Sequence, residues 1–242
     1  MNTLWLLWLQ LSHIPAFWIA LTLLAFGIGD ALYVRAGGFP LLNPVLISVL
    51  LLISLLLFTH VPYPVYFAGA QPIHILLGPA TVALAIPLYS NLQRVRDYAL
   101  PLLLALLFGC VLGIVSALAC GQLFGLSASS LASIAPKSVT TPIAMALAQH
   151  AGGNVSLAAG FVILTGICGA VLAVPIFRLL RIEHEIAQGF ALGMAAHGVG
   201  TSRAIQLSET AGAFSGLAMG LNGVLTSLLL SVVLGSWWSV FG

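Results

Sequence analysis

Charge is what this sequence has least of. Only 5% of its 242 residues are charged, with 7 Lys+Arg against 5 Asp+Glu, and lysine occurs once, at position 137. A soluble domain carries about 25% charged residues, so this chain has too little polar surface to cover itself in water. No polar stretch is long enough to fold alone, which excludes a separate soluble domain. The net charge of +2 is too small to suggest a nucleic-acid partner. Cys110, Cys120 and Cys168 fall inside apolar runs, where cysteine behaves as a small hydrophobe. Their spacing gives neither a metal set nor a disulfide framework. Also missing are GxSxG, HExxH and any pair of intramembrane aspartates, so the sequence predicts no enzyme, no metal and no cofactor. Ser138 beside Lys137 is a conceivable nucleophile–base dyad, but adjacent residues at a helix start point in different directions. The first ten residues lack a basic n-region before the apolar run, and the segment is expected to be retained.

What is present is hydrocarbon: 61% hydrophobic residues and a mean hydropathy of +1.15. The fold class is an all-α polytopic membrane protein. A β-barrel needs short alternating segments with a polar lumen face, and these runs are apolar all round. Clean spans are expected at about Ile14–Val34, Asn43–Val61, Tyr98–Phe124, Ser156–Phe177 and Gly212–Trp237. Pro62, Pro64 and Gly69 with Tyr63, Tyr66 and Phe67 read as an interfacial loop. Gly125–Ser133 reads as a small-residue loop, and Arg94, Arg96 and Asp97 as a basic one. Arg178, Arg181, Glu183, His184 and Glu185 form a second charged loop, and Asp30 with Arg35 sits at the end of the first span. These charges set topology. Arg35, Arg94 and Arg96, Arg178 and Arg181 share the cytoplasmic side only if Pro136–His150 is re-entrant.

Three stretches are not written like spans. The segment from Gln71 to Tyr89 is interrupted at Gly78-Pro79 and again at Pro87, and proline inside a helix removes a hydrogen bond and clashes with the preceding turn. Ala135 to Pro142 packs two prolines, two threonines, a serine and the lysine into eight residues. A short helix from Ile143 to His150 follows, ended by glycine punctuation at Gly152-Gly153. The third interruption is Ala196 to Arg203, followed by a short helix to about Glu209. An offset of 57 aligns Pro79 with Pro136, Val82 with Val139 and Ile86 with Ile143. An offset of 60 aligns Val139 with Val199, Thr141 with Thr201 and Gly152 with Gly212. The chain therefore reads as one membrane domain, with N-terminal spans in 1–61 and three related units in 69–124, 130–178 and 185–240. About seven or eight membrane segments are expected, some discontinuous or re-entrant, in the manner of transporters built from internal repeats.

Each break is followed by hydroxyl donors at a predicted helix start, where free N–H groups and the helix dipole favour an anion. The candidate site comprises Gly78, Pro79, Thr81, Lys137, Ser138, Thr140, Thr141, His197, Gly200, Thr201, Ser202 and Arg203. Lys137 and Arg203 would neutralise a carboxylate, and the hydroxyls would bind its oxygens. His197 would carry a coupling proton. Each also has a plainer reading. The cations can snorkel to the headgroups, the hydroxyls can bond back to their own helices, and the glycines can serve close packing.

Three motifs carry a family resemblance: Leu77-Gly78-Pro79-Ala80-Thr81-Val82 through Tyr89, Pro136-Lys137-Ser138-Val139-Thr140-Thr141-Pro142 through Met145, and His197-Gly198-Val199-Gly200-Thr201-Ser202-Arg203-Ala204. Taken in order, over about Leu42 to Leu229, they resemble the LrgB/CidB family of antiholin-like bacterial inner-membrane proteins. Ser202 departs from the small apolar residue the pattern has before its arginine. The resemblance implies a multi-pass protein of the bacterial inner membrane with one of two functions. One is transport of small 2-hydroxy or 2-oxo monocarboxylates (glycolate, glycerate, lactate, pyruvate), as in chloroplast relatives that export glycolate and import glycerate. The other is modulation of murein hydrolase export and autolysis alongside a small holin-like partner of the LrgA/CidA type. The sequence leaves the oligomeric state open, a homodimer included. The residues themselves favour the first function, because a pore or its inhibitor has no need of an anion site.

Overall fold

A computed structural model of the chain describes residues 14–39, 42–76, 79, 82–83 and 85–241. Among the described residues there are helices and turns and no strand. The chain divides into two compact units, residues 1–83 and 84–242.

The first unit holds α1 (Pro15–Arg35), α2 (Pro44–Thr59) and α3 (Tyr63–Ile75). Asn43 caps α2, its side-chain oxygen accepting from the N–H groups of Val45 and Leu46 at 2.9 and 3.3 Å, which satisfies two of the donors a helix start leaves open. Gly29 lies where a Cβ would come within 2.7 Å of the Pro44 carbonyl oxygen, so α1 and α2 touch backbone to backbone. Trp18 is buried edge-on against Tyr66, whose hydroxyl lies 3.1 Å from that of Thr22. The loop expected around Tyr63, Tyr66 and Phe67 is instead the first turns of α3. Pro62 and Pro64 sit at the helix start, where the missing N–H would be unpaired anyway, and Tyr63 stacks on Phe67 one turn later. Pro72 lies inside α3 without ending it.

The second unit holds α4 (Ala85–Ser90), α5 (Leu92–Asp97), α6 (Ala99–Leu123), α7 (Ala128–Ile134), α8 (Thr141–His150), α9 (Val155–Leu180), α10 (Glu185–Leu207) and α11 (Glu209–Phe241). The expected Gly125–Ser133 loop is shorter than the sequence suggested: Gly125 turns the chain at φ +71°, and Ser127 then caps α7 through the Ser130 N–H. The expected basic loop is the helix α5, braced by Gln93 donating to Asp97 at 2.9 Å. Among the described residues four helices are long and apolar enough to cross a membrane, namely α1, α6, α9 and α11, and α2 is a shorter apolar helix of 16 residues.

The course of the chain through the second unit follows from a few contacts. Arg94, Asp97, Glu183, His184, Glu185 and Thr210 line one cavity, with Arg94 donating to the Thr210 hydroxyl at 3.0 Å and Tyr98 edge-on to His184. The start of α6, the end of α9, the start of α10 and the start of α11 therefore share one charged end. Since α6 leaves that end and α9 returns to it, α7 and α8 make no net crossing. At 7 and 10 residues they reach about 10 and 15 Å, against a hydrocarbon core of about 30 Å. They form a hairpin at the far end. Its base is tied where the Asn154 N–H donates to the Ser133 hydroxyl at 2.7 Å.

The same reasoning makes α10 a second hairpin, entered from the charged end. Its helical dihedrals fail at Ala196 (φ −130°, ψ 16°) and His197 (φ 43°, ψ −133°). Before the break, Gly189 faces the Ala211 carbonyl and Gly193 that of Ser215, so this half runs parallel to α11. After it, Thr201 meets Ser215 and Ile205 meets Gly212, so the chain runs back. The interruption expected over Ala196–Arg203 is thus confined to two residues, and Gly198 to Leu207 are helical again.

Candidate functional site

The two hairpins bring their reversals together against the middle of α11. Asn222 lies there, about 20 Å along the helix from Glu209 at 1.5 Å per residue. Its side chain is 1% exposed. Its amide donates to the Ser138 carbonyl at 3.3 Å and to the Met194 carbonyl at 3.1 Å, and sits 3.5 Å from the Ser138 hydroxyl. Its own carbonyl accepts from the Thr226 hydroxyl at 3.4 Å, and Thr226 lies 3.3 Å from the Cys110 thiol on α6. This chain of polar contacts satisfies carbonyls that a broken helix exposes, which at membrane depth have no water to turn to.

His197 reverses the second hairpin. Its ring is buried and Nε2 lies 2.9 Å from the Val162 carbonyl on α9. A carbonyl only accepts, so Nε2 carries the proton. The ring fits because α9 has Gly166 there, where a Cβ would stand 2.7 Å from His197 Cε1. Gly169, one turn on, gives the same room to Ala196. Thr201 is buried, donating to the His197 carbonyl at 2.9 Å with its oxygen 3.0 Å from the Ser215 hydroxyl. The hydroxyl thus closes its own helix and pairs with α11.

Lys137 occupies the reversal of the first hairpin, where its N–H donates to the Ile134 carbonyl at 3.0 Å. It lines a cleft of about 470 Å³ between α9 and the first half of α10, together with Ala196 at the other reversal. The walls are apolar, with Phe161, Phe177 and Leu192 among them, and Thr165 and Cys168 add a hydroxyl and a thiol. No hydrogen bond joins the Lys137 ammonium to a described residue.

Of the remaining candidates, Thr140 is the N-cap position of α8 and Thr141 its first residue, both half-buried, and Thr140 makes no side-chain capping bond. Ser202 is exposed. Arg203 is half-buried and donates to Gln206 at 2.7 Å. Gly200 packs against Leu192 within the hairpin. None of these five lines the cleft with Lys137. Pro79 is helical and exposed in the first unit, whereas Gly78 and Thr81 lie outside the described residues. Sequence reasoning missed Asn222, Ser215, Thr226 and Thr165. For Asn222 the signal was available, as a lone carboxamide in an apolar 33-residue helix.

Residues 22–235 match the LrgB-like family. This chain belongs to that family. It is 38% identical over 219 residues to the uncharacterized protein YxaC of Bacillus subtilis (strain 168), covering 90% of this chain and 95% of the relative. It is 33% identical to the holin-like protein CidB of Staphylococcus epidermidis, over 81% of this chain and 85% of the relative. It is 30% identical to the antiholin-like protein LrgB of Bacillus mycoides (strain KBAB4), over 89% and 94%. No solved structure matches the chain. Family membership and the four long apolar helices make this a multi-pass protein of the bacterial inner membrane.

Proposed function

We propose that this LrgB-family protein acts as an antiholin-like membrane protein that modulates murein hydrolase export and autolysis with a small holin-like partner. The observation that carries it is the family match together with the antiholin-like and holin-like names of relatives aligned over most of the chain. The reading is non-enzymatic, and a homodimer is part of it. Its test is deletion in the native host, with and without the partner gene, followed by detergent-induced lysis rates and murein hydrolase activity in the medium. Unchanged lysis and unchanged hydrolase release in both backgrounds would remove it.

A second reading is favoured by a different observation, the meeting of two hairpin reversals beside a lysine. Secondary transporters place discontinuous helices against one another near the bilayer midplane and bind substrate there. On this reading the protein carries small monocarboxylates such as glycolate, glycerate, pyruvate or lactate, with Lys137 as the charge that receives the carboxylate. The order of short helix, break, short helix and long span, seen in α7–α9 and again in α10–α11, supports the repeat architecture of seven or eight segments. Uptake of labelled glycolate or pyruvate into proteoliposomes tests it. Flux that survives the Lys137→Ala, Arg203→Ala double variant would sink the site assignment, and no flux with any of these acids would leave the regulator reading alone.

A further inference from the structure

The charged end of the second unit holds a cavity of about 560 Å³, within the range of sites that take small molecules. Its walls carry charges of both signs that do not answer one another. Arg94 donates to the Asn91 side chain at 3.3 Å and to the Thr210 hydroxyl at 3.0 Å. His184 stands edge-on to Tyr98, and Asp97 accepts only from Gln93. Among the described residues no ion pair joins Arg94 or His184 to Asp97, Glu183 or Glu185, and the Glu183 and Glu185 carboxylates accept no hydrogen bond. The cavity therefore offers acceptors to a cation and donors to an anion at the same time.

Its depth says which ligand is at hand. The cavity lies where the spanning helices α6, α9 and α11 end, which is the level of the polar headgroups. Deeper on α6 and α9, Leu100, Leu104, Ile176 and Leu179 are exposed, an apolar surface along which acyl chains can lie. Three carboxylates against one guanidinium in the lining disfavour an anionic headgroup, and a quaternary ammonium has no N–H to give. A primary ammonium brings three N–H donors, and the phosphate joined to it takes charge-assisted bonds from a guanidinium.

We infer that this cavity binds a phospholipid with a primary-ammonium zwitterionic headgroup, phosphatidylethanolamine. The ammonium sits on Asp97, Glu183 and Glu185, and the phosphate on Arg94 and the Tyr98 hydroxyl. Asn222, between the hairpin reversals, lies about 18 Å further along α11 than Thr210 at 1.5 Å per residue, so this site is separate from them and rests on neither functional reading.

The test is native mass spectrometry of the full chain, delipidated in detergent and mixed with equal amounts of phosphatidylethanolamine, its N-methyl and N,N-dimethyl derivatives and phosphatidylcholine. These lipids share acyl chains, phosphate and net charge and differ in the number of ammonium N–H groups. Retention is expected to fall along the series, phosphatidylethanolamine exceeding phosphatidylcholine at least tenfold. The Glu183→Gln, Glu185→Gln double variant is expected to bring the two within about twofold. Arg94→Gln is expected to weaken all four lipids alike and keep their order, whereas Asp30→Asn, which removes a carboxylate outside the cavity, is expected to change nothing. Thermal unfolding shows which variants are folded, and the headgroup series on the parent protein needs none of them.

Equal retention of phosphatidylethanolamine and phosphatidylcholine would overturn the inference. So would tighter retention of phosphatidylglycerol, or a preference that survives in a folded double variant. Displacement of the lipid by an equal concentration of water-soluble glycerophosphoethanolamine would overturn the lipid assignment in favour of a free zwitterion. Retention indifferent to headgroup, with saturable binding of a lysine-rich peptide that the double variant loses, would assign the cavity to a basic protein segment instead.

Discussion

Asn222 donates a hydrogen bond to the carbonyl of Ser138 across 84 residues of sequence, at 3.3 Å. The same amide reaches the Met194 carbonyl at 3.1 Å, so one side chain on α11 holds the reversal of one hairpin beside that of the other. Asn222→Ala leaves the buried Ser138 carbonyl and the half-buried Met194 carbonyl without this donor, at up to about 1–3 kcal/mol for a buried group. Asn222→Asp does no better when ionised, because a carboxylate has no N–H to give. Both variants are expected to unfold at lower temperature than the parent in detergent. A midpoint unchanged in either would show that these carbonyls have other partners.

Ser133 secures the base of the first hairpin. Its hydroxyl donates to the Ser129 carbonyl and accepts from the Asn154 N–H, both at 2.7 Å, and the residue is fully buried. Ser133→Ala is expected to cost about 1–3 kcal/mol through the orphaned Asn154 N–H. Its effect should appear as faster amide exchange at Gly153–Val155 ahead of global unfolding. Exchange there that matches the parent would mean that the base is held by packing alone.

The breaks were legible because proline, glycine and hydroxyl residues punctuate apolar runs, and Pro136–Thr140 and Ala196–His197 fall where composition placed them. What composition does not show is direction. Whether the chain crosses or turns back after a break depends on which helices meet its two ends, and here that was decided by Thr210 reaching Arg94 and by Gly189 and Gly193 meeting α11. Prolines misled at Tyr63, since a proline that starts a helix and one that ends it look alike in sequence. The site divided for a related reason. With the break ending at His197, Thr201, Ser202 and Arg203 point to three sides of a continuing helix rather than crowding one helix start.

Glycines in the second unit separate into two sets with opposite expectations. Gly193 faces the Ser215 backbone carbonyl at a separation no Cβ tolerates, whereas Gly160 has nothing within 4 Å. Gly193→Ala must push α10 off α11, because backbone cannot rotate aside, at about 1–3 kcal/mol or more. Gly160→Ala, at a helical position, is expected to stabilise by about 0.5–1 kcal/mol. Opposite shifts in thermal midpoint are the signature, and a Gly193→Ala protein as stable as the parent would contradict the backbone contact between these helices.

His197 carries two loads that substitution can separate. Its ring ties α10 to the Val162 carbonyl, and its backbone stands at φ 43° and ψ −133°, a conformation that costs a non-glycine residue about 1–3 kcal/mol. His197→Ala removes the ring and keeps the strained backbone. His197→Gly removes the ring and relieves the strain, since glycine has no Cβ to crowd the preceding carbonyl. Both lose the bond to Val162, so their difference isolates the backbone term. The glycine variant is expected to be the more stable by about 1–3 kcal/mol, read as the gap between unfolding midpoints in the same detergent. Equal midpoints would mean that the reversal relaxes elsewhere once the ring is gone, and that the ring holds the backbone in its strained φ and ψ.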